Sequence, residues 1–550
     1  MANKVRFFIE DYHDFENVWE EKIECEPETI PGISKRELLS LFFDPQELKD
    51  IKIFRQEKIG DKYHTVQSDL TETKYKKNFP VFRKDFAEGS IKYPSAKQKL
   101  KRLKGIVGVL RRTVRTESGE YDVTVELRSR FDKSKNPYFL LALLSSVLQG
   151  DVKYTTDNIA GENKDLFGFL AVFLFRNALK TAYSSGVYRT YVRRGYNDLK
   201  LRGAIDIARH IRLNGGNDSR IAYNTRELTA DNPLNHLIVY TWALLVGTYP
   251  HIAHSITAKD KGFRDIISGL KYATADTKMP LDLCAAKCSR TITGPFFTDY
   301  EKLRALCLSI LSFRTGANFF GGNADNGEVS GLLFYSPDLW EVFVEQCMKE
   351  RLGDIGGGFI SQNTINIYSS EVSNAPSSHN GPEYKQEIRP DFVFFADKEK
   401  TVPYMVLDAK LKPFKKEKEN IVPWSEVPAD LDDVTKLMRD MMCFNTMSGG
   451  LVFPSGKKEF SEDMEKVRAH YISEYNKERL IYIFVLSIPD VPEADAKAND
   501  EERQWQYNEW AKILDGNVDA MIKSLKSALE NELRYLAQPS EKRIQDDLLC

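Results

Sequence analysis

Ile388-Arg-Pro-Asp391-Phe-Val-Phe-Phe395 and Tyr404-Met-Val-Leu-Asp408-Ala-Lys410 are the two stretches on which the reading of this chain turns. Each is a short apolar run bounded by charged residues, the pattern of a buried strand, with a charged turn between them. Asp391 opens the first run and Asp408 closes the second. In a strand, residues i and i+2 point to one face, so Asp408 and Lys410 project together. Two carboxylates delivered by adjacent strands suit Mg²⁺, a hard cation that takes oxygen ligands and keeps several waters, and Mn²⁺ accepts the same donors. Lys410 beside such an ion can orient or deprotonate an attacking water, while the ion stabilises charge on a phosphate undergoing in-line displacement. The letters alone are a weak signal. Pro489-Asp490 followed by Asp495-Ala-Lys497 repeats them, but with a spacing of five from one acid to the next, prolines nearby and no second apolar run. The competing reading of Asp408 and Lys410 is a solvated strand end with a surface lysine.

On the N-terminal side, Asp338-Leu-Trp-Glu341-Val-Phe-Val-Glu345 reads as a helix ahead of the two strands. Glu341 is expected to complete the metal's ligands; its alternative role is a carboxylate favoured by the positive end of the helix dipole. After the strands, Asp433-Val-Thr-Lys436-Leu-Met reads as a helix whose Lys436 either reaches a phosphate or sits on the solvated face. The expected elements are a helix at Pro337–Leu352, strands near Phe359–Ile367, Phe392–Phe395 and Tyr404–Leu407, a helix at Asp432–Thr446, and strands at Gly450–Phe453 and Leu480–Ile488. Such alternation predicts a mixed α/β domain over 331–490. A helix from Glu501 to about Leu536 forms a C-terminal extension, 491–550.

Residues 1–130 read as β-rich, from Val5–Ile9 and Ile51–Phe54 to the period-two run Tyr121–Arg128. Residues 131–330 read as mostly helical, with helices at Tyr138–Leu148 and Leu166–Tyr183. A second helical block runs from Asn232 to about Ser312, opened by Asp231-Asn-Pro as cap and first turn. The Gly- and Asn-rich stretch 314–331 reads as a linker. The fold class is therefore multi-domain α/β. At 550 residues the chain is long enough for three or four domains.

Composition is that of an ordinary folded protein: 42% hydrophobic and 29% charged, with 78 Lys and Arg against 80 Asp and Glu. That balance gives no global basic footprint for nucleic acid, although Lys97–Arg115 holds eight basic residues and no acidic one. The seven cysteines are scattered without a CxxC pair, so they read as reduced and mostly buried. No apolar run reaches the length of a membrane span and no signal peptide opens the chain, which points to the cytoplasm and no membrane. His251 and His254 lack a third ligand in view. There is no Walker A sequence and no GxGxxG before a helix, so no nucleotide site is expected in this chain.

Arg389-Pro-Asp391 with Asp408-Ala-Lys410 resembles the PD-(D/E)xK nuclease motif. The segments around it resemble, in order, the McrC family, the nuclease subunits of McrBC and LlaJI-type restriction systems. These are Leu201-Arg-Gly-Ala-Ile-Asp206, Tyr223-Asn-Thr-Arg-Glu227, Asp231-Asn-Pro-Leu-Asn235, Glu328–Glu341, Asp433–Phe444 and Gly450-Leu-Val-Phe-Pro454. The likeness spans roughly 105–490, with Lys436 where Gln is expected and Leu411 where Tyr is usual. It implies Mg²⁺-dependent endonuclease activity with Asp391, Asp408 and Lys410 as the catalytic set and Glu341 and Lys436 beside it. It further implies docking on a hexameric AAA+ McrB-like GTPase through the N-terminal part, stimulation of that GTPase, and action on double-stranded DNA carrying modified cytosine or a specific site. The alternatives are a stand-alone repair or recombination nuclease and a non-catalytic scaffold that activates its motor.

Overall fold

The alternating run Tyr121–Arg128 lies within a seven-stranded sheet. The computed structural model describes residues 2–11, 23–43, 52–59, 62–69, 105–132, 137–148, 166–215, 219–275, 278–290, 297–315, 330–366, 387–412, 431–456, 469–472, 478–490 and 500–538. The sheet comprises β1 (Asn3–Glu10), β2 (Glu24–Glu26), β3 (Lys52–Ile59), β4 (Lys62–Asp69), β5 (Ile106–Thr116), β6 (Gly119–Arg128) and β10 (Ser330–Tyr335) in the order β2-β1-β6-β5-β10-β3-β4. Its inward residues, among them Phe7, Leu110, Tyr121, Val123 and Val125, close over Leu38, Leu39 and Phe42 of helix Lys35–Phe42. Ser34 caps that helix by accepting from the Glu37 amide at 3.2 Å.

Strand β10 crosses the expected boundary at 331. Its six residues pair antiparallel with β5, and Leu333 and Phe334 among them pair parallel with β3, so a segment expected at the start of the third unit completes the N-terminal sheet. Helix Ser336–Arg351 starts on the next residue, which ties that sheet directly to the helix carrying Glu341. The β5–β10 approach is tight: Gly108 has φ +139°, and a Cβ there would lie 2.0 Å from the Leu332 carbonyl oxygen.

Between β6 and β10 lie helices at Tyr138–Leu148, Leu166–Tyr183, Pro233–Thr248 and Thr298–Thr315, with shorter ones between them. Asn232 caps Pro233–Thr248, accepting from the Asn235 amide at 3.1 Å, with Pro233 in the first turn. Leu166–Tyr183 is long and apolar enough to cross a membrane by length and composition. It packs instead on Thr298–Thr315, with Phe167 stacked on Phe313. The middle segment also holds strands that the helical reading overlooked. β7 (Thr190–Asp198), β8 (Ala204–Ile205) and β9 (Ile221–Thr229) form a small sheet in the order β7-β9-β8.

The motif strands lie in a six-stranded mixed sheet, β11 (Gly358–Ser361), β14 (Phe392–Phe395), β15 (Pro403–Ala409), β16 (Ser448–Ser455), β18 (Glu478–Ser487) and β17 (Ala469–Ile472), in that spatial order. A two-stranded ribbon, β12 (Ile365–Asn366) and β13 (Glu387–Ile388), leads into β14. One face, with Val393, Val406 and Leu451, buries Val434, Leu437 and Met441 of helix Leu431–Cys443. Residues of the other face, among them Met405, Tyr482 and Phe484, join the main core with Trp510 and Leu514 of helix Asp500–Leu536. The C-terminal helix is thus part of this layer: Trp510 Nε1 donates to the Pro489 carbonyl at 3.0 Å, and Tyr482 donates to Glu532 at 2.6 Å.

Candidate active site

β14 and β15 run antiparallel with Phe392 opposite Leu407, which sets Asp391, just before β14, across from Asp408 near the end of β15. Directly opposed residues of a pair share a face. Asp391 is fixed there by its own strand neighbour, accepting from the Ala409 amide at 2.7 Å. β15 continues into β16 in parallel register, and the Lys410 amide donates to the Val452 carbonyl at 2.9 Å, which orients the end of the strand.

The charged groups form an alternating row. The Lys436 ammonium contacts Asp408 and lies 3.6 Å from Asp391 Oδ1. Lys410 Nζ lies 2.5 Å from the other oxygen of Asp408 and 3.9 Å from Asp433. Lys412 Nζ is next in the row, 2.8 Å from Asp433. Asp408 has no exposed surface. Its burial disfavours the ionised form, but the Lys436 and Lys410 ammonium groups prevail and hold it below the ordinary carboxylate range. Burial likewise disfavours the charged form of Lys436, and the charges of Asp391 and Asp408 hold its pKa above the usual lysine value instead. Asp391 goes the other way, raised by burial and then by the charge of Asp408.

Glu341 lies within electrostatic reach of Asp391. Burial and then the Asp391 charge push its pKa well up. Gln362, at the end of β11, bridges the two: its side-chain amide donates to Glu341 Oε1 at 2.6 Å, and its backbone amide donates to the Asp391 carbonyl at 2.8 Å. Gln362 adopts φ +54°, a left-handed conformation rare outside glycine, and this lets one residue reach both acids. Tyr63 of β4 lies within electrostatic reach: burial, then the charges of Glu341, Glu345 and Asp391, push its hydroxyl up.

The structure therefore brings together all five residues expected from the sequence: Asp391, Asp408, Lys410, Glu341 and Lys436. Lys436, expected to reach phosphate or solvent, is spent on the two acids. Gln362, Tyr63, Glu345 and the ion-pair role of Asp433 are additions. Nothing in the periodicity marks Gln362 or Tyr63, because each acts across a long sequence separation. Glu345 lies one helical turn after Glu341, which is the only local hint.

Among the described residues no three acidic, His or Cys side chains already converge as an ion cage; the place between Asp391 and Asp408 is held by the Lys436 ammonium. The donor set nevertheless fits Mg²⁺ or Mn²⁺, being one buried carboxylate, Asp408, and two half-buried ones, Asp391 and Glu341, with hard oxygens and no soft ligand. A divalent ion there would offset both the burial and the mutual repulsion that raise Asp391 and Glu341.

Other candidates fall away. Of the basic stretch Lys97–Arg115, residues 97–104 lie outside the described residues, and the remaining three arginines are engaged. Arg111 forks onto Asp122, Arg112 donates to the Leu41 carbonyl and Arg115 pairs with Glu120. Arg194 pairs with Asp231 at 3.0 Å. His254 is exposed, and the side chain of His251 lies outside the description. The decoy acids past Asp490 do as well. Cys25, Cys284, Cys288, Cys307 and Cys347 are buried free thiols, while Cys443 is exposed.

Residues 101–427 match the family model described as "McrBC 5-methylcytosine restriction system component". The chain belongs to that McrBC family. Two solved structures from Thermococcus gammatolerans are similar to it. One is a half-complex from a tetradecameric assembly of McrB AAA+ hexamers with bound McrC, at 16% identity and TM-score 0.41, covering 92% of this chain and 99% of that one. The other is the McrBC complex, at 16% identity and TM-score 0.27, covering 64% and 88%. No curated protein matches. Within this McrBC-family chain the family match runs through β14 and β15 and so includes Asp391, Asp408 and Lys410, while Lys436 and the C-terminal helix lie beyond it.

Proposed function

We propose that this chain is the DNA-cutting subunit of an McrBC-type restriction system and hydrolyses phosphodiester bonds with Mg²⁺. The observation that carries the reading is the placement of Asp391 opposite Asp408, with Lys410 on Asp408 and Glu341 against Asp391. Asp391, Asp408 and Glu341 would hold the ion. Bound there, Mg²⁺ supplies positive charge for the scissile phosphate and lowers the pKa of a ligated water. Asp408 anchors Lys410 at the strand end, where its ammonium orients the attacking water and adds charge beside the phosphate. Lys436 neutralises the acids before the ion arrives and afterwards is free to turn toward the phosphate. Gln362 fixes Glu341 and Asp391 relative to one another. The apolar faces on both sides of the sheet keep these groups on a rigid support.

The motor is a separate polypeptide in this reading. The sequence offers no Walker A segment, so nucleotide hydrolysis falls to an AAA+ GTPase ring on which this chain docks and which it stimulates. The substrate is double-stranded cytoplasmic DNA, and the family's description favours modified cytosine as the feature recognised. The near-balanced charge fits a subunit whose DNA affinity is borrowed from its partner. The test is to combine the purified chain with its AAA+ partner, GTP and methylated DNA, with Mg²⁺ or with chelator. Cutting by the complex only when metal is present is expected. Equal cutting by the chain alone would favour a stand-alone nuclease, and no cutting under any condition would favour a scaffold.

A further inference from the structure

Building on the nuclease reading, we propose that Lys58 and Tyr63, from the N-terminal hairpin β3–β4, are positioning residues that hold the Glu341 side of the metal site in place. The hairpin is the edge of the seven-stranded sheet, yet its polar residues cross onto the helix that carries Glu341. Arg55 Nε meets Asp338 Oδ2 at 3.0 Å in the first turn of that helix. Lys58 Nζ lies 3.1 Å from Glu345 Oε1, and the Tyr63 hydroxyl donates to the other oxygen of Glu345. Glu345 is four residues beyond Glu341, on the same side of the helix.

The same Lys58 ammonium also donates to Ser361 Oγ at the end of β11. The next residue is Gln362, whose left-handed backbone lets it donate at once to Glu341 and to the Asp391 carbonyl. One ammonium from the N-terminal sheet therefore holds both supports of Glu341. It grips the helix through Glu345 and the end of β11 through Ser361.

Glu345 has no exposed surface, and a buried carboxylate is tolerated only when it is paired. Lys349 supplies one partner from the same helix at 2.6 Å. That local pair would suffice for a carboxylate with no other role, but Lys58 and Tyr63 reach it from a different unit. The arrangement makes the metal site answer to the position of the N-terminal sheet, so a displacement of that sheet is transmitted to Glu341 rather than absorbed between units.

The probe is Mn²⁺, titrated into the full chain and followed by the paramagnetic resonance signal of the free ion. Outer-shell partners of metal ligands typically contribute tenfold or more in affinity. Lys58→Met is expected to weaken Mn²⁺ binding about tenfold and Tyr63→Phe about threefold, with Lys58→Arg recovering most of the loss. In the complex with the motor, the Mg²⁺ concentration for half-maximal cutting should rise by the same factors while kcat at saturating metal changes little. A role confined to stability would lower the melting temperature and leave these quantities unmoved. Tyr63→Phe removes only a hydroxyl and keeps the test decisive should Lys58→Met fail to fold. Folded variants that bind Mn²⁺ as the wild type does would overturn the proposal. Asp391→Asn separates the two levels. Wild-type Mn²⁺ uptake that depends on Asp391 but ignores Lys58 and Tyr63 overturns the positioning role alone. Uptake that is absent, or indifferent to Asp391, overturns the metal site with it.

Discussion

Replacing Lys436 with Gln takes one positive charge from between the buried Asp408 and the half-buried Asp391 and leaves the packing of its helix unchanged. Asp408 is fully buried and Lys436 contacts it directly, with Asp391 Oδ1 at 3.6 Å. Unit charges about 4 Å apart interact by about 4 kcal/mol at an effective dielectric of about 20. Removing one partner of a buried pair usually destabilises by about 3–5 kcal/mol. Lys410 remains 2.5 Å from Asp408, and Lys436 is itself partly solvated, so the expected loss is about 2–3 kcal/mol. For the unit built on the six-stranded sheet, that corresponds to about 5–10 °C in melting temperature. The assay is thermal unfolding of the full chain in chelator and again in Mg²⁺. The variant should melt lower in chelator and gain more from Mg²⁺ than the wild type, because the ion then meets two acids without first displacing an ammonium. A variant that melts with the wild type in chelator, or an equal gain from Mg²⁺ in both proteins, would refute the charge row.

Two buried groups outside the site carry further expected outcomes. Burial raises the Asp132 carboxyl to about 7, although it accepts from the Phe139 amide at 2.7 Å. The native chain then holds a proton that the unfolded chain releases near 3.8, so stability falls as pH rises between the two values, by at most about 1.4 kcal/mol per pH unit. Asp132→Asn keeps an acceptor for the amide without the charge. It should raise the melting temperature at pH 8 and change it little at pH 5; an equal effect at both would contradict this. Trp510→Ala removes a buried ring that packs on Tyr507 and hydrogen-bonds the Pro489 carbonyl. It should destabilise by about 3–5 kcal/mol and expose the C-terminal helix to limited proteolysis, whereas wild-type protection would show that the helix does not depend on this anchor.

The motif strands were legible because their signal is local. Phe392–Phe395 and Tyr404–Leu407 are short apolar runs with a turn between them, and the acid at the end of each run is placed by the strand pairing itself. The helices around Glu341, Lys436 and Trp510 were equally legible from their apolar spacing. The small sheet of β7–β9 escaped because Thr190–Asp198 has no deeply buried strand residue and alternates between exposed and half-buried positions, so no apolar run announces it. Strand β10 reads with the Glu341 helix because Gly331 and the glycines before it look like a break. Its pairing with β5 joins residues more than 200 positions apart, which no local pattern records. Gln362 was hidden for the same reason. Its role depends on a left-handed backbone and on two acids that come near only in the folded chain.

The most direct test of the account uses the assembled system with Asp408→Asn and Asp391→Asn. Each variant removes a carboxylate charge from the site while keeping the side chain's shape. With the AAA+ partner, GTP, Mg²⁺ and methylated DNA, both variants should assemble and stimulate GTP hydrolysis as the wild type does, and neither should cut. DNA cleavage at the wild-type rate by either variant would place the cutting chemistry elsewhere and contradict the assignment.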